Sequence, residues 1–201
     1  LHSSLELDVN DALPLGDSPL RSIDAVELGL GQAGYIANRQ ISTAIYMAHH
    51  LQKPILVEGP AGVGKTELAK SVASWLKLPL IRMQCYEGLD ESKALYEWKY
   101  GKQLLYTQIL KDKINSVIGE SDDLNTALNK LHSFGDVFFS HQFLEPRPLL
   151  RSLQEPGGSV LLIDEIDKSD QEFEAFLLEI LSDYQVTIPE IGTVGAIVPP
   201  I

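Results

Sequence analysis

Apolar and polar positions repeat with two different periods along this chain, and the switches between them mark the elements. Residues 1 to 33 carry Pro14, Gly16, Pro19, Gly29 and Gly31 among scattered acids. They show neither period, which predicts a linker or loosely packed arm. Asn38 opens a helical pattern with Ile41, Ala44, Ile45, Ala48 and Leu51 on one face. Pro54 ends it, and Ile55, Leu56 and Val57 form the short apolar run of a buried strand. A Gly-rich turn follows, then a second helical stripe of Leu68, Val72, Trp75 and Leu76. Leu80 to Gln84 reads as a second strand.

From Glu91 to about Val117 the pattern is mostly helical, with Gly101 as an interruption. Gly119 to Asp123 is an acidic loop, Leu124 to Leu131 a short helix, and Asp136 to Ser140 an extended segment. Pro146 and Pro148 fix a bend before a short helix at Leu149 to Leu153. Pro156, Gly157 and Gly158 make a turn into the apolar run Val160 to Ile163, which ends in Asp164 and Glu165. Ser169 and Glu172 have capping-box spacing, and Phe173, Phe176, Leu177, Ile180 and Leu181 form a helical stripe. Gln185 to Val198 reads as a hairpin around Pro189 to Gly192.

Composition narrows the class. At 201 residues, 44% hydrophobic and 22% charged, the chain is expected to fold as one domain or a domain and a half. A net charge of −12 argues against nucleic acid and anionic membrane as partners, because affinity there comes from Lys and Arg neutralising phosphates. The single cysteine, Cys85, excludes an internal disulfide and fits a reducing cytosol. No apolar run reaches bilayer-spanning length, and no signal peptide is visible at Leu1 to Asn10. The expectation is a cytoplasmic protein, with further residues upstream because the chain begins with Leu.

The turn after the first apolar run carries the chemistry. Gly59-Pro60-Ala61-Gly62-Val63-Gly64-Lys65-Thr66 matches the phosphate-loop pattern G-x-x-x-x-G-K-[ST]. Glycines let the backbone approach a ligand and turn its N–H groups inward around phosphates. The following helix presents its positive dipole end to the same anion. Lys65 is positioned for the β and γ phosphates of ATP, and Thr66 for Mg²⁺. By residue usage the pattern arises by chance in about one per cent of chains this long. Its place between an apolar strand and an amphipathic helix makes the phosphate loop the better reading.

Val160 to Ile163 followed by Asp164 and Glu165 is an apolar strand ending in two carboxylates. Parallel sheets bind ligands at the carboxyl ends of their strands. Asp164 is therefore a candidate to hold Mg²⁺ through water, and Glu165 to prepare the attacking water. Such a pair alone is weak evidence; with a phosphate loop about a hundred residues upstream it gains its meaning.

Other signals are weaker. His49 and His50 are adjacent, and His2, His132 and His141 lack ligand spacing. Cys85 reads as a buried structural thiol. Tyr96, Trp98, Tyr100 and Tyr106, interleaved with Lys93, Lys99 and Lys102, suit packing better than base stacking in so acidic a chain. Arg147 and Arg151 share a helix face, for a subunit contact or a solvated surface.

At these motifs the sequence resembles the MoxR-family AAA+ ATPases. The stretches that carry the likeness are Pro54 to Lys70, Leu80 to Asp90, Tyr96-Glu97-Trp98, Phe138-Phe139-Ser140, Pro146 to Leu150, and Leu161 to Glu190. The run Phe173 to Glu190 looks like the CoxD subgroup, associated with maturation of carbon monoxide dehydrogenase and related molybdenum enzymes. The resemblance implies an α/β P-loop NTPase fold, a parallel sheet flanked by helices, over about 34 to 201. It implies a helical insertion over about 90 to 155 and a hairpin over about 185 to 198. It implies a homo-hexameric ring, a protein client and a partner with a von Willebrand factor A domain. The family's sheet order is 5-1-4-3-2, with Ile55 to Glu58 as strand 1, Leu80 to Gln84 as strand 2 and Val160 to Ile163 as strand 3. The sensor strand, arginine finger and helical lid of such ATPases would follow Ile201, so the chain is expected to stop short of them and to turn over no ATP alone. Gln84 is expected to hold Glu165 by a hydrogen bond from its side-chain amide. Tyr35 and Ile36, just before the first helix, are candidates for adenine contact. The function expected is an ATP-hydrolysing remodelling chaperone; a P-loop kinase and a non-hydrolysing assembly module are the alternatives.

Overall fold

The computed structural model describes residues 18–119 and 138–201. The acidic loop expected at Gly119 to Asp123 begins in a helix, since Gly119 is helical; its remainder and the helix expected over Leu124 to Leu131 fall in 120–137, outside the described residues. The chain divides into two units, Leu1–Leu78 with Ile201, and Pro79–Pro200.

The described residues of the first unit are built on three helices. Helix α1 spans Ile23–Gln32, α2 Arg39–Leu51 and α3 Lys65–Leu76. Ser22 caps α1 by accepting from the Ala25 N–H, and Asn38 caps α2 by accepting from the Ile41 N–H at 2.9 Å. Each bond satisfies a donor that the helix start would otherwise leave unpaired. Helix α1 packs on α2 and α3. Val26, Leu30, Ile45, Leu68 and Val72 are buried in this unit, each worth about 1.5–3 kcal/mol relative to exposure.

Helix α1 corrects the expectation of a linker or arm over residues 1 to 33, of which 1–17 lie outside the described residues. Gly29 and Gly31 lower helix propensity, yet Gly29 has a packing reason. A Cβ built on it would lie 2.0 Å from Trp75 Cε2, so the indole of α3 rests on the bare α1 backbone. On α2, Ile45 and Ala48 are buried as expected, but Ala44 and Leu51 are exposed and Ser42 takes the third buried position. Ser42 is tolerated there because its hydroxyl donates to the Asn38 carbonyl.

The run Ile55 to Val57 is not a buried strand. It forms no ladder among the described residues, and Leu56 is 72% exposed. An apolar run is a strand only with a neighbour for its backbone groups, and no described strand supplies one.

Among its described residues the second unit holds three two-stranded ladders. Strand β1, Leu80–Gln84, and strand β4, Val160–Asp164, pair in parallel from Leu80 opposite Val160 to Gln84 opposite Asp164. This is the adjacency of strands 2 and 3 expected from the resemblance. Helix α4, Glu91–Leu95, leads into β2, Tyr96–Trp98, which pairs antiparallel with β3, Leu144–Pro146. Helix α5 spans Tyr100–Gly119, so Gly101 lies inside a helix and the strand Tyr96–Trp98 is the true interruption. Phe139 and Ser140 turn where an extended segment was expected. Helix α6, Pro148–Gln154, follows with Pro at its first position, where the missing N–H costs nothing. Helix α7, Gln171–Asp183, is capped by Asp170, which accepts from the Phe173 N–H at 2.8 Å. The cap is one residue later than the Ser169 expected, whose hydroxyl instead donates to the Ile166 carbonyl. The hairpin expected near the end is present as β5, Gln185–Ile188, and β6, Gly192–Gly195.

Leu149, Leu150 and Leu153 of α6, Phe173, Leu177 and Ile180 of α7, Trp98, Phe143 and Ile188 make one core cluster of this unit. Met83 and Cys85 extend it to the end of β1. The strand ends that carry the acids are thus anchored by close-packed apolar side chains.

Candidate functional site

In the first unit, residues 59–64 form a loop that leads into Lys65 and Thr66 at the start of α3. Gly62 (φ 83°) and Gly64 (φ 91°) occupy the left-handed region, where a Cβ is costly. Gly64 is also the residue before α3, and no side chain caps that helix. The first turn of α3 therefore offers its N–H groups and its positive dipole end without a competing side-chain oxygen. The Lys65 ammonium folds back over the loop and donates to the carbonyls of Gly59 at 2.6 Å and Pro60 at 2.9 Å. Thr66 is half-buried on the first turn, one residue on. Pro60, Ala61 and Val63 occupy the exposed rim of the loop.

Tyr35 and Ile36 lie on the link between α1 and α2. The Tyr35 ring sits 3.7 Å from where a Cβ of Gly64 would be, so it packs against the last glycine of the loop. Ile36 is 98% exposed. His49 and His50 stand at the other end of α2 with their rings 5.2 Å apart. Burial, and then the neighbouring His50, lower the pKa of His49 from the usual histidine value.

In the second unit, the acid pair stands at the carboxyl end of β4. Alternation along β1 buries Ile81 and Met83 and places Arg82 and Gln84 on the opposite face. From there the Arg82 guanidinium reaches two groups. Its Nη2 donates to Asp164 Oδ2 at 2.6 Å and to Gln84 Oε1 at 3.0 Å. The backbone completes the strand end, since the Cys85 N–H donates to the Asp164 carbonyl at 2.9 Å. Glu165 leaves the strand with φ 57°, a left-handed conformation uncommon for a residue with a Cβ. Its carboxylate pairs with Lys168, one turn on, at 2.5 Å. That hydrogen bond and the charge of Glu165 raise the Lys168 pKa.

This arrangement corrects the role expected of Gln84. Its side-chain oxygen accepts from Arg82, two residues back on the same face, while the Glu165 carboxylate accepts from Lys168. Two residues at the site escaped the sequence reading. Arg82 was legible from strand alternation, which puts it beside Gln84. Lys168 was legible from the i,i+3 spacing to Glu165. Cys85 is buried, as expected; its thiol pKa is raised by burial first, then by the charges of Asp164, Asp167 and Glu165. It is therefore a poor nucleophile.

The aromatic stretch after the acid-rich turn is mainly packing. Trp98 is buried and meets Phe139 edge-on, while Tyr106 meets Phe143 in the same way. Tyr100 remains exposed. Arg147 pairs with Glu97 across β2 and β3, and Arg151 is exposed.

A glycine-turned loop at an uncapped helix start and a strand ending in an acid pair are the marks of a P-loop nucleotide-binding domain. The family model of the AAA domain, dynein-related subfamily, matches residues 54–199, and the chain belongs to that family. Domains of that family generally bind ATP with Mg²⁺ and hydrolyse it. An uncharacterized protein of Staphylococcus epidermidis (strain ATCC 12228 / FDA PCI 1200) is 42% identical over 45 residues, 22% of this chain and 17% of that protein. The chain thus spans under a fifth of that relative's length. No solved structure matches. Among the described residues no helix is long and apolar enough to cross a membrane.

Proposed function

We propose that this chain is the ATP-binding part of a remodelling ATPase that couples hydrolysis to work on a protein client. The observation that carries the reading is the loop of residues 59–64, with its left-handed glycines, the uncapped helix start that follows and Lys65 folded over it. Phosphate oxygens are the ligand whose charge and size suit converging N–H groups and one ammonium. On binding, Lys65 exchanges its two loop carbonyls for the β and γ phosphates. Tyr35, packed beside Gly64, and the exposed Ile36 are placed on the link that would meet the adenine ring.

Thr66 and Asp164 offer a hydroxyl and a carboxylate, the hard oxygen donors that suit Mg²⁺. Thr66 would hold it directly and Asp164 through water. Bound there, the ion would neutralise charge on the phosphates. Glu165 accepts the proton of the attacking water, a role that requires Lys168 to release it. Gln84 acts through Arg82, at the same strand end, rather than by holding Glu165. The remaining parts of the proposal rest on resemblance to the MoxR family and its CoxD subgroup. They are a hexameric ring, a partner with a von Willebrand factor A domain, and a molybdenum enzyme as client.

Two substitutions test this reading in the full-length protein. Lys65→Ala should weaken ATP binding tenfold or more, since each charge-assisted hydrogen bond lost is worth about 1.5–3 kcal/mol. Glu165→Gln should keep ATP binding and stop hydrolysis, because it preserves shape and removes the proton acceptor. Titration with a fluorescent ATP analogue and a phosphate-release assay report the two effects. Unchanged affinity in a folded Lys65→Ala protein, or full turnover by Glu165→Gln, would overturn the assignment.

A further inference from the structure

The link between α1 and α2 holds one aromatic ring beside the phosphate loop. Two residues after α1, Gly34 has φ 82° and turns the chain back over the helix end. A Cβ is costly in that conformation, so glycine suits the position. Two backbone bonds close the turn. The Gly34 N–H donates to the Gly31 carbonyl at 3.0 Å, and the Tyr35 N–H to the Leu30 carbonyl at 2.9 Å. Leu30 is itself buried, so the Tyr35 backbone is tied to the packed side of α1. At the other end of the link, Asn38 caps α2. Tyr35 is half-buried, and its Cε2 lies 3.7 Å from where a Cβ of Gly64 would be. Ile36, the next residue, is exposed. Helix α1 meets α3 a second time near the far end of α3, where Trp75 rests on Gly29. Helix α1 and the link after it therefore hold α3 at both ends.

A grip on phosphate depends on where the N–H groups of Gly64, Lys65 and Thr66 point. Gly64 is the joint that aims them, left-handed at φ 91° immediately before the helix. Glycine has the widest conformational range of any residue, so a loop hinged on it loses much freedom when a ligand fixes it. A contact that holds the hinge before the ligand arrives removes part of that loss. We infer that Tyr35 is a positioning residue that braces Gly64 through its ring, and so raises the affinity of the loop for a polyphosphate chain, apart from any contact with the base. The inference rests on the proposed reading of residues 59–66 as a phosphate-binding motif, and it involves residues of the first unit alone. Setting one glycine in advance saves part of the freedom a single residue loses, which corresponds to about three- to tenfold in affinity.

The test is competition between inorganic tripolyphosphate and a fluorescent ATP analogue in the full-length protein, at one fixed Mg²⁺ concentration. Tripolyphosphate carries phosphates and no base, so it reports on the loop without the adenine contact. Tyr35→Ala should weaken tripolyphosphate and ATP alike, about three- to tenfold. Tyr35→Phe keeps the ring carbon that makes the contact and should recover the loss. Tyr35→Leu is the second variant should Tyr35→Ala fold poorly, since it keeps apolar bulk on the link but ends one carbon short of the contact. Hydrogen exchange gives a readout without ligand. In the Tyr35→Ala protein the amides of Gly64 to Thr66 should exchange faster, while that of the buried Val72, within α3, keeps the parent rate. If Lys65→Ala leaves tripolyphosphate binding unchanged, the phosphate reading falls and the inference falls with it. If Lys65→Ala weakens that binding and Tyr35→Ala does not, the reading stands and the brace is refuted. Loss of ATP affinity with tripolyphosphate affinity intact would make Tyr35 a base contact only. An equal loss in Tyr35→Phe would assign the effect to the hydroxyl; either result refutes the brace.

Discussion

Gly29→Ala should destabilise the first unit although alanine is the better helix former. Position 29 lies inside α1, where Ala is worth about 0.8–1.0 kcal/mol over Gly. The new methyl carbon would meet Trp75 Cε2 at 2.0 Å, Nε1 at 2.1 Å and Cζ2 at 2.5 Å. Comfortable carbon contacts begin near 3.5 Å, so indole or helix must retreat by roughly 1.5 Å. Overpacking of this kind costs about 1–3 kcal/mol. With the propensity gain subtracted, the net loss should be up to about 2 kcal/mol, or a Tm lower by up to about 8 °C. Gly31 is the internal control. It lies on the same helix, and a Cβ there meets nothing within 4 Å. Gly31→Ala should stabilise by up to about 1 kcal/mol, less for its place near the helix end. Urea unfolding of both variants and of the parent gives the comparison. In a Trp75→Leu background, Gly29→Ala should become neutral or stabilising. Should Gly29→Ala stabilise the parent as much as Gly31→Ala does, the packing of Trp75 on α1 is wrong.

Two further outcomes follow from local bonding. Asp90 caps α4, and its pKa is held well below the usual carboxylate value by the Lys93 ammonium, then the Ser92 hydroxyl and the Lys93 N–H. The folded pKa is depressed, so the stability from this cap is complete above about pH 5. It is lost as pH falls below the ordinary Asp value of about 4 and through the folded pKa. Asp90→Asn keeps a capping oxygen but should flatten that acid limb in a pH series of urea midpoints; an unchanged slope would exclude Asp90 as its source. Hydrogen exchange should separate two apolar runs that look alike in sequence. The amides of Ile55 to Glu58, outside any described ladder, should exchange fast, while those of Cys85 and Val160, bonded at 2.9 and 3.0 Å, should be protected. Comparable protection at both would show Ile55 to Glu58 to be paired.

What could be read from the sequence follows the range of the interaction that decides each feature. The phosphate loop and the hairpin were legible because their turns are specified within a few residues, by Gly62, Gly64 and Gly192 at positive φ. Strands Leu80–Gln84 and Val160–Asp164 were legible because burial on the core side shows directly in their residues. Helix α1 was not, because the reason for Gly29 is a tryptophan 46 positions away, as the numbering of both residues gives. Ile55 to Val57 misled for the converse reason. Its apolar character is local, but a strand also needs a partner, and no local pattern supplies one. At the site itself residue identities were legible and pairings were not. Gln84 was correctly placed at a strand end, yet which group it bonds depends on Arg82, a competitor that only the three-dimensional face of β1 brings into view.

The charged groups of the candidate site share a feature that bears on every mutational test of it. Lys65 is engaged by two carbonyls of its own loop, Asp164 by Arg82 and Glu165 by Lys168. Ligand binding therefore exchanges contacts rather than adding them to bare charges. For Lys65, two hydrogen bonds at 2.6 and 2.9 Å are given up as the phosphates are taken, so its net contribution is smaller than the bonds it forms. The effect of Lys65→Ala should thus lie near the tenfold end of its range rather than at the sum of three full charge-assisted bonds. The exchange also has a structural benefit. A charge already held in place loses less side-chain freedom when its ligand arrives, and that loss is otherwise among the larger costs of binding with a long cation. The same reasoning orders the acids. Lys168 is local to Glu165 and leaves by rotating about its own side chain. Arg82 reaches Asp164 from the neighbouring strand and is held as well by Gln84 on its own strand. Of the two acids, Asp164 is consequently the one whose engagement should respond more to substitution of its cation.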